Sequence, residues 1–316
     1  MSVLLLLIPY FWLGSPPEAV PSFRVDADFI RVPVTVLDQS GRTVPNLTAE
    51  DFRLYDEGEP RPIANFVMDQ SPLNVVILID TSGSVQDELD EIKRASLLFA
   101  SVFDRDDRIA VMSFSDRIEV LRSWTSDQRA VRRAVNRLER GFRTSLFDSL
   151  LHAVREKLDG ASGKKAILLW TDGLDNESRH TYDDALNELV ASDVSLYIVS
   201  RSRLVQAKVG ESARVEFLQR VMQNVLDDEE SFVDVYFREK EASLNLLAET
   251  TGGRVFYPEK LIELRRYYVQ VARELKSQYL LAFPPPQQSE IEFRRIRVEC
   301  KRPATEVHHR EMYRFP

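Results

Sequence analysis

In the stretch VVILIDTSGSVQDEL, residues 75–89, five apolar side chains precede an aspartate and two serines at alternate positions: Asp80, Ser82 and Ser84. Two more oxygen-bearing residues lie downstream, Thr144 in GFRTSLFD and Asp172 in LLWTDGLDN. Together they offer two carboxylates and three hydroxyls, with no cysteine or histidine among them. Such a set suits a hard cation such as magnesium, accepts manganese, and suits zinc or copper poorly. If the hydroxyls bind the ion directly and the aspartates act largely through water, the ion stays electrophilic and keeps an open position. A carboxylate from a partner could fill it.

Oxygens so far apart in the chain converge only if the fold brings them to one place. From residue 73 onward, apolar runs alternate with amphipathic helical segments, the pattern of a parallel sheet covered on both faces. Strands are predicted at 74–80, 108–114, 118–124, 165–171, 194–200 and 253–258, and helices over 85–103, 128–138, 145–158, 182–191, 241–250 and 261–275. The fold class is α/β, with a doubly wound, mostly parallel sheet whose ligands collect at the carboxyl ends of its strands. Asp80 ends the first of these strands, Asp172 follows the fourth, and Thr144 stands at an equivalent edge. Each piece also has a local reading: Ser84 with Asp87, and Ser145 with Asp148, as capping boxes, and Asp172-Gly173 as a turn. Their joint placement at one edge favours the ion. Asp80 is expected there as a surface carboxylate that contributes little packing.

Residues 23–68 read as short strands and turns, SQYLLAFPPPQQSEIEFRRIRVECKRP reads as two strands around a Pro-Pro-Pro corner, and EVHHREMYRF as a third. Chain ends often lie close together. The expected organisation is an α/β domain, 73–276, inserted in a β domain split between 22–72 and 277–316. Residues 203–237 fit the alternation badly and predict an extra helix over 214–225 with an acidic tip at Asp227 to Glu230.

The apolar run from Val3 to Leu13, followed by small residues and prolines, reads as a signal peptide over 1–21, which implies a secreted or periplasmic protein. As a helix it would reach only ~16 Å, too short to span a bilayer. A buried N-terminal strand is the other reading. The single cysteine, Cys300, excludes an internal disulfide and a cysteine-rich zinc site, and a net charge of −8 disfavours nucleic acid.

The five oxygen-bearing residues resemble the metal-ion-dependent adhesion site of the von Willebrand factor type A domain: Asp-x-Ser-x-Ser, then a threonine and an aspartate in two later loops. TSLFDSL and TDGLDN look like that family's neighbouring segments, and the likeness covers residues 74–275. It implies that Ser82, Ser84 and Thr144 hold the ion directly, that Asp80 and Asp172 often act through water, and that an acidic residue of a protein ligand completes the shell. The flanks resemble a bacterial group of secreted proteins related to this domain, in VPVTVLDQSGRTVPNLTAEDFRLYDEGEPRPI, LAETTGGRVFYPE and ELKSQYLLAFPP. Two departures stand out. Arg143 replaces the glycine that commonly precedes the site threonine, where it would favour an acidic ligand or compete with the ion, and the 203–237 segment is longer than the family leads one to expect.

The expected function is a non-enzymatic, divalent-metal-dependent adhesion module that binds a carboxylate of a partner protein. The alternatives are a scaffold subunit whose metal only ties loops together, and a metal-dependent hydrolase with Asp80 as nucleophile. The hydrolase would want a second aspartate where Ser82 stands, and no histidine is expected near the site loops to act as a base. Arg129, Arg133, Arg137 and Arg140 recur at helical spacing, as a solvated face or as a stripe that steers an acidic partner. His308 and His309 are adjacent, point to opposite faces of a strand and are expected at the surface. GASGKKA lacks the spacing of a phosphate-binding loop.

Overall fold

The structure, a computed structural model, describes residues 29–82, 86–205 and 232–316. In sequence order, four short strands come first: β1 (Ile30–Asp38), β2 (Phe52–Asp56), β3 (Glu59–Arg61) and β4 (Asn65–Met68). β5 (Leu73–Asp80) follows and is buried along its whole length, which is why its sequence runs apolar without alternation. It pairs in parallel with β6 (Arg108–Phe114) on one side and β8 (Lys164–Thr171) on the other. Outside β6, the edge strand β7 (Ile118–Thr125) runs antiparallel; outside β8 come β9 (Val194–Ser200) and the two-residue β10 (Val255–Phe256), both parallel. The order β10-β9-β8-β5-β6-β7 is that of a six-stranded, mostly parallel sheet. The strand expected over 253–258 shortens to β10, and Gly253 before it packs against β9 so closely that a Cβ would stand 2.0 Å from the Leu196 carbonyl oxygen.

Among the described residues, the helices that cover this sheet include α1 (Gln86–Ala100), α2 (Gln128–Val135), α3 (Leu146–Ala153), α4 (Tyr182–Ala191), α5 (Phe232–Thr250) and α6 (Leu264–Lys276). Alternate residues of β5 serve its two faces. Val75, Ile77 and Ile79 join a core with Ile92 and Phe99 of α1, Val131 of α2 and Tyr268 of α6. Val76 and Leu78 join another with Leu150 of α3, Leu189 of α4 and Leu247 of α5. The sheet is doubly wound.

Several helix ends differ from expectation. The helix expected over 145–158 changes to a π turn at Val154–Leu158, and the one expected over 241–250 begins earlier, at Phe232. α2 stops at Val135, so Arg137 and Arg140 do not continue the face of Arg129 and Arg133. Arg133 pairs with Asp127 at 3.6 Å and Arg137 donates to the Leu121 carbonyl. The arginine series is thus no continuous helical stripe. The helix expected over 214–225 and the signal segment over 1–21 lie outside the described residues.

The last strands are β11 (Tyr279–Phe283), β12 (Phe293–Cys300), β13 (Thr305–His309) and β14 (Met312–Arg314). They interleave with the first four in two antiparallel sheets, β13-β1-β11-β4 and β14-β12-β2-β3. Val34 and Leu281 of one sheet share a core with Leu54, Val298 and Tyr313 of the other. His309 is used inside this region rather than at the surface: its Nε2 accepts from the Val298 amide at 3.0 Å, and its Nδ1 lies 2.7 Å from the Arg310 carbonyl oxygen.

Candidate functional site

β5 ends on Asp80, which is fully buried and not the surface carboxylate expected. Its Oδ1 accepts from the Ser82 amide at 2.9 Å and the Ser82 hydroxyl at 2.6 Å; its Oδ2 accepts from the Thr171 hydroxyl at 2.8 Å. The parallel register aligns Ile79 with Trp170, so the next pair along, Asp80 and Thr171, also stand side by side.

Asp172 follows Thr171. Its Oδ1 accepts from the Leu174 amide at 3.1 Å across a turn in which Gly173 takes φ +82°, a left-handed conformation that suits glycine. Thr144 is buried as well, and its main chain is clamped to Asn176 of the same β8–α4 loop. The Thr144 amide donates to Asn176 Oδ1 at 2.9 Å and its carbonyl accepts from the Asn176 amide at 3.0 Å. On its other side this segment docks on the β5 exit, where the Gly141 amide donates to the Thr81 carbonyl at 3.1 Å. Only glycine fits at 141, since a Cβ would lie 2.0 Å from Ser115 Oγ. Main-chain contacts therefore bind three loops together, and four of the five expected residues sit within them. Ser84 lies outside the described residues.

The local alternative at Ser145 does not form. Its hydroxyl donates to the Ser115 carbonyl at 2.8 Å, while the first amides of α3 are satisfied from the β8–α4 loop: Leu146 by Asp175 Oδ1 and Asp148 by Ser178 Oγ. Asp148 in turn accepts from the Arg179 and His180 amides and meets His180 Nδ1 at 2.7 Å. A histidine does stand on a site loop, contrary to expectation, with its ring held by Asp148.

Sequence reasoning missed Arg201. Its guanidinium is only 4% exposed, and Nη2 lies 2.8 Å from Asp172 Oδ2, 3.1 Å from the Ser82 carbonyl oxygen and 3.5 Å from Ser82 Oγ. Nη1 faces Glu88 of α1 at 3.4 Å. Thr171 pairs with Ser200 across β8 and β9, so the residue after Ser200 must neighbour the residue after Thr171. Arg201 stands beside Asp172 for that reason. By contrast, Arg143 turns outward, 63% exposed, and pairs with both carboxylate oxygens of Glu177 at 2.8 and 2.5 Å. The cation inside the cluster is Arg201, and Phe142, next to Arg143, is 93% exposed.

Burial first, and the Asp172 carboxylate second, push the Asp80 carboxyl up to about 6, against the opposing pull of Arg201 and the Ser82 hydrogen bonds. Burial works against the Arg201 charge, but Asp172, Asp80 and Glu88 outweigh it and hold the guanidinium above its ordinary pKa. The oxygens converge where, among the described residues, buried carboxylates outnumber buried cations.

Residues 74–224 match the model of the von Willebrand factor type A domain, a module that often mediates metal-dependent protein interaction and is generally not an enzyme. The chain is 29% identical over 133 residues to the uncharacterized protein sll0103 of Synechocystis sp., a match that takes in 40% of this chain and 31% of that protein. It therefore spans about a third of that relative's length. Among solved structures, a von Willebrand factor type A protein from Catenulispora acidiphila shares the fold, with a TM-score of 0.51 at 13% identity over 92% of this chain and 74% of that one. Proximal thread matrix protein 1 from the mussel byssus, with a zinc-occupied MIDAS motif, gives a TM-score of 0.49 at 15% identity over 71% of this chain and 50% of that one. Among the described residues, no helix is long and apolar enough to cross a membrane.

Proposed function

We propose that this chain, which carries a von Willebrand factor type A domain over residues 74–224, is a divalent-metal-dependent protein-binding module that takes a partner's carboxylate at Asp80, Ser82, Ser84, Thr144 and Asp172. The observation that carries this reading is the charge of the cluster. Among the described residues, three buried carboxylates, Asp80, Glu88 and Asp172, surround one buried guanidinium, so three negative charges less one positive leave a surplus of two. A buried surplus of that size is costly unless a cation offsets it. The all-oxygen donors fit magnesium, or manganese in its place.

A bound ion of this kind would supply a Lewis-acidic position for a carboxylate oxygen of the ligand. The chain's own residues prepare that position. Thr171 fixes Asp80, Asp80 orients the Ser82 hydroxyl, and Asn176 and Thr81 clamp the segment that carries Thr144. Phe142 and Arg143 stand exposed beside it for an acidic protein ligand to meet.

Two competing readings are weaker. The loops are already joined main chain to main chain, which leaves a purely loop-tying metal little to do. For hydrolysis, Ser82 fills the position of a second acid and donates its hydroxyl to Asp80, so a proton donor for a leaving group is lacking there. We take the module as non-enzymatic and as secreted or periplasmic, with residues 1–21 as its signal peptide. The pairing of β1 and β2 with C-terminal strands supports a β domain of 22–72 and 277–316 around an α/β domain of 73–276.

Magnesium titration by calorimetry of the wild-type chain beside Asp80→Asn tests the reading. Binding by the wild type and its loss in the folded variant are expected. Equal affinity in the two, or no binding by either, would remove the metal from the assignment.

A further inference from the structure

We propose that Arg201 is a resident cation of this site, one that competes with the divalent ion for Asp172 and Ser82 and so sets how readily the site loads. The proposal rests on the metal reading above and goes beyond it, because nothing in an Asp-x-Ser-x-Ser pattern calls for a guanidinium at the end of β9.

The atoms in question are shared. Asp172 Oδ2 and Ser82 Oγ are among the oxygens an ion would use, directly or through water, and Arg201 Nη2 lies 2.8 Å from the first and 3.5 Å from the second. The other Asp172 oxygen is engaged by the Leu174 amide at 3.1 Å. Asp172 thus has both oxygens occupied. A divalent ion arriving beside the guanidinium also meets like-charge repulsion in a poorly screened setting, since Arg201, Asp172 and Glu88 are all buried.

Arg201 cannot simply leave. Its backbone amide donates to the Thr171 carbonyl at 2.8 Å, which fixes it at the site, and its other arm faces Glu88 at 3.4 Å. Glu88 gives the guanidinium a place to shift toward without leaving the cluster. A guanidinium suits that role better than an ammonium, because its fork can hold Glu88 with one arm while the other gives up Asp172. Loading is then an exchange within the cluster, in which Asp172 passes from Arg201 to the ion.

Calorimetric titration with magnesium, and with manganese as a second probe, on wild type, Arg201→Gln and Arg201→Lys tests this, with circular dichroism to confirm the fold of each. Arg201→Gln should bind at least about tenfold more tightly than wild type, and Arg201→Lys should fall between them, because it keeps the charge and loses the fork. In wild type itself, the side-chain nitrogen resonances of Arg201, assigned by their loss in Arg201→Lys, should shift as magnesium is added. That measurement stands even if Arg201→Gln does not fold. Equal affinities in all three chains, or arginine resonances indifferent to a magnesium that does bind, would overturn the role of Arg201 and leave the metal reading intact. Failure of every chain to bind would overturn both.

Discussion

Asp56 and Arg294, 238 residues apart in sequence, meet as a two-armed ion pair: Nε on Oδ1 and Nη2 on Oδ2, each at 3.0 Å. Asp56 is fully buried and also takes Arg61 at 3.3 Å and the Tyr313 hydroxyl at 3.3 Å. Two early strands, β2 and β3, and two late ones, β12 and β14, are tied by this one carboxylate. Asp56→Ala would leave Arg294 buried without its main partner, at a cost of about 3–5 kcal/mol. The expected result is a melting temperature lower by roughly 10 °C. Urea or thermal unfolding measures it, and Asp56→Ala with Arg294→Met should recover part of the loss. A fall of only a degree or two in the single variant would mean that the pair holds little.

Gly141→Ala should act on the site without unfolding the protein. The new Cβ would meet Ser115 Oγ at 2.0 Å and Ser115 Cβ at 2.2 Å, so the segment that carries Thr144 must move away from the β5 exit. Magnesium affinity is expected to fall by about tenfold or more, with the protein still folded and its melting temperature lower by several degrees. Unchanged affinity would show that Thr144 is not a ligand whose placement matters.

The His309 ring sets a pH dependence. Its Nε2 accepts from the Val298 amide, so the ring is neutral and its Nδ1 hydrogen goes to the Arg310 carbonyl. Burial lowers its pKa, with the Arg310 carbonyl pulling weakly the other way. A histidine depressed on folding binds fewer protons folded than unfolded at pH values below its unfolded pKa of about 6.5. Its contribution to stability is therefore complete above that pH and is lost as the pH falls toward the folded value. Between about pH 7.5 and pH 5.5 the wild type should lose more stability than His309→Gln, whose amide can make both hydrogen bonds without titrating. Parallel pH profiles of melting temperature would refute this.

Phe142→Ala should leave magnesium affinity and melting temperature alone, since the ring is 93% exposed. Capture of glutamate-bearing peptides from a library should weaken if this ring is the apolar contact beside the bound carboxylate. Equal capture by variant and wild type would place the ligand elsewhere.

The sheet was legible in the sequence where burial is continuous. β5, β6, β8 and β9 carry apolar runs because both of their faces are covered, and Asp80 and Asp172 mark where two of those runs end. The break in the arginine series was not legible, because α2 ends at Val135 without glycine or proline to announce it. Arg201 was hidden for a deeper reason. A lone arginine after a strand reads as solvated, and only the alignment of Ser200 with Thr171 reveals that it must lie beside Asp172. His309 likewise depends on a partner strand, through the Val298 amide, that its own neighbours do not disclose.

β1 has a neighbour on each side, and both come from the far end of the chain: Val34 is aligned with Tyr279 and with His309. During synthesis this strand is made early and finished late. The parallel sheet can close from its own local segments while β1 to β4 wait with bare hydrogen-bonding edges, the surfaces most prone to pair with the wrong chain. The closing segment from β11 to β14 works as a clasp on a strap threaded at the outset, and a nascent chain cut short before it would display the open ends and nothing to fasten them.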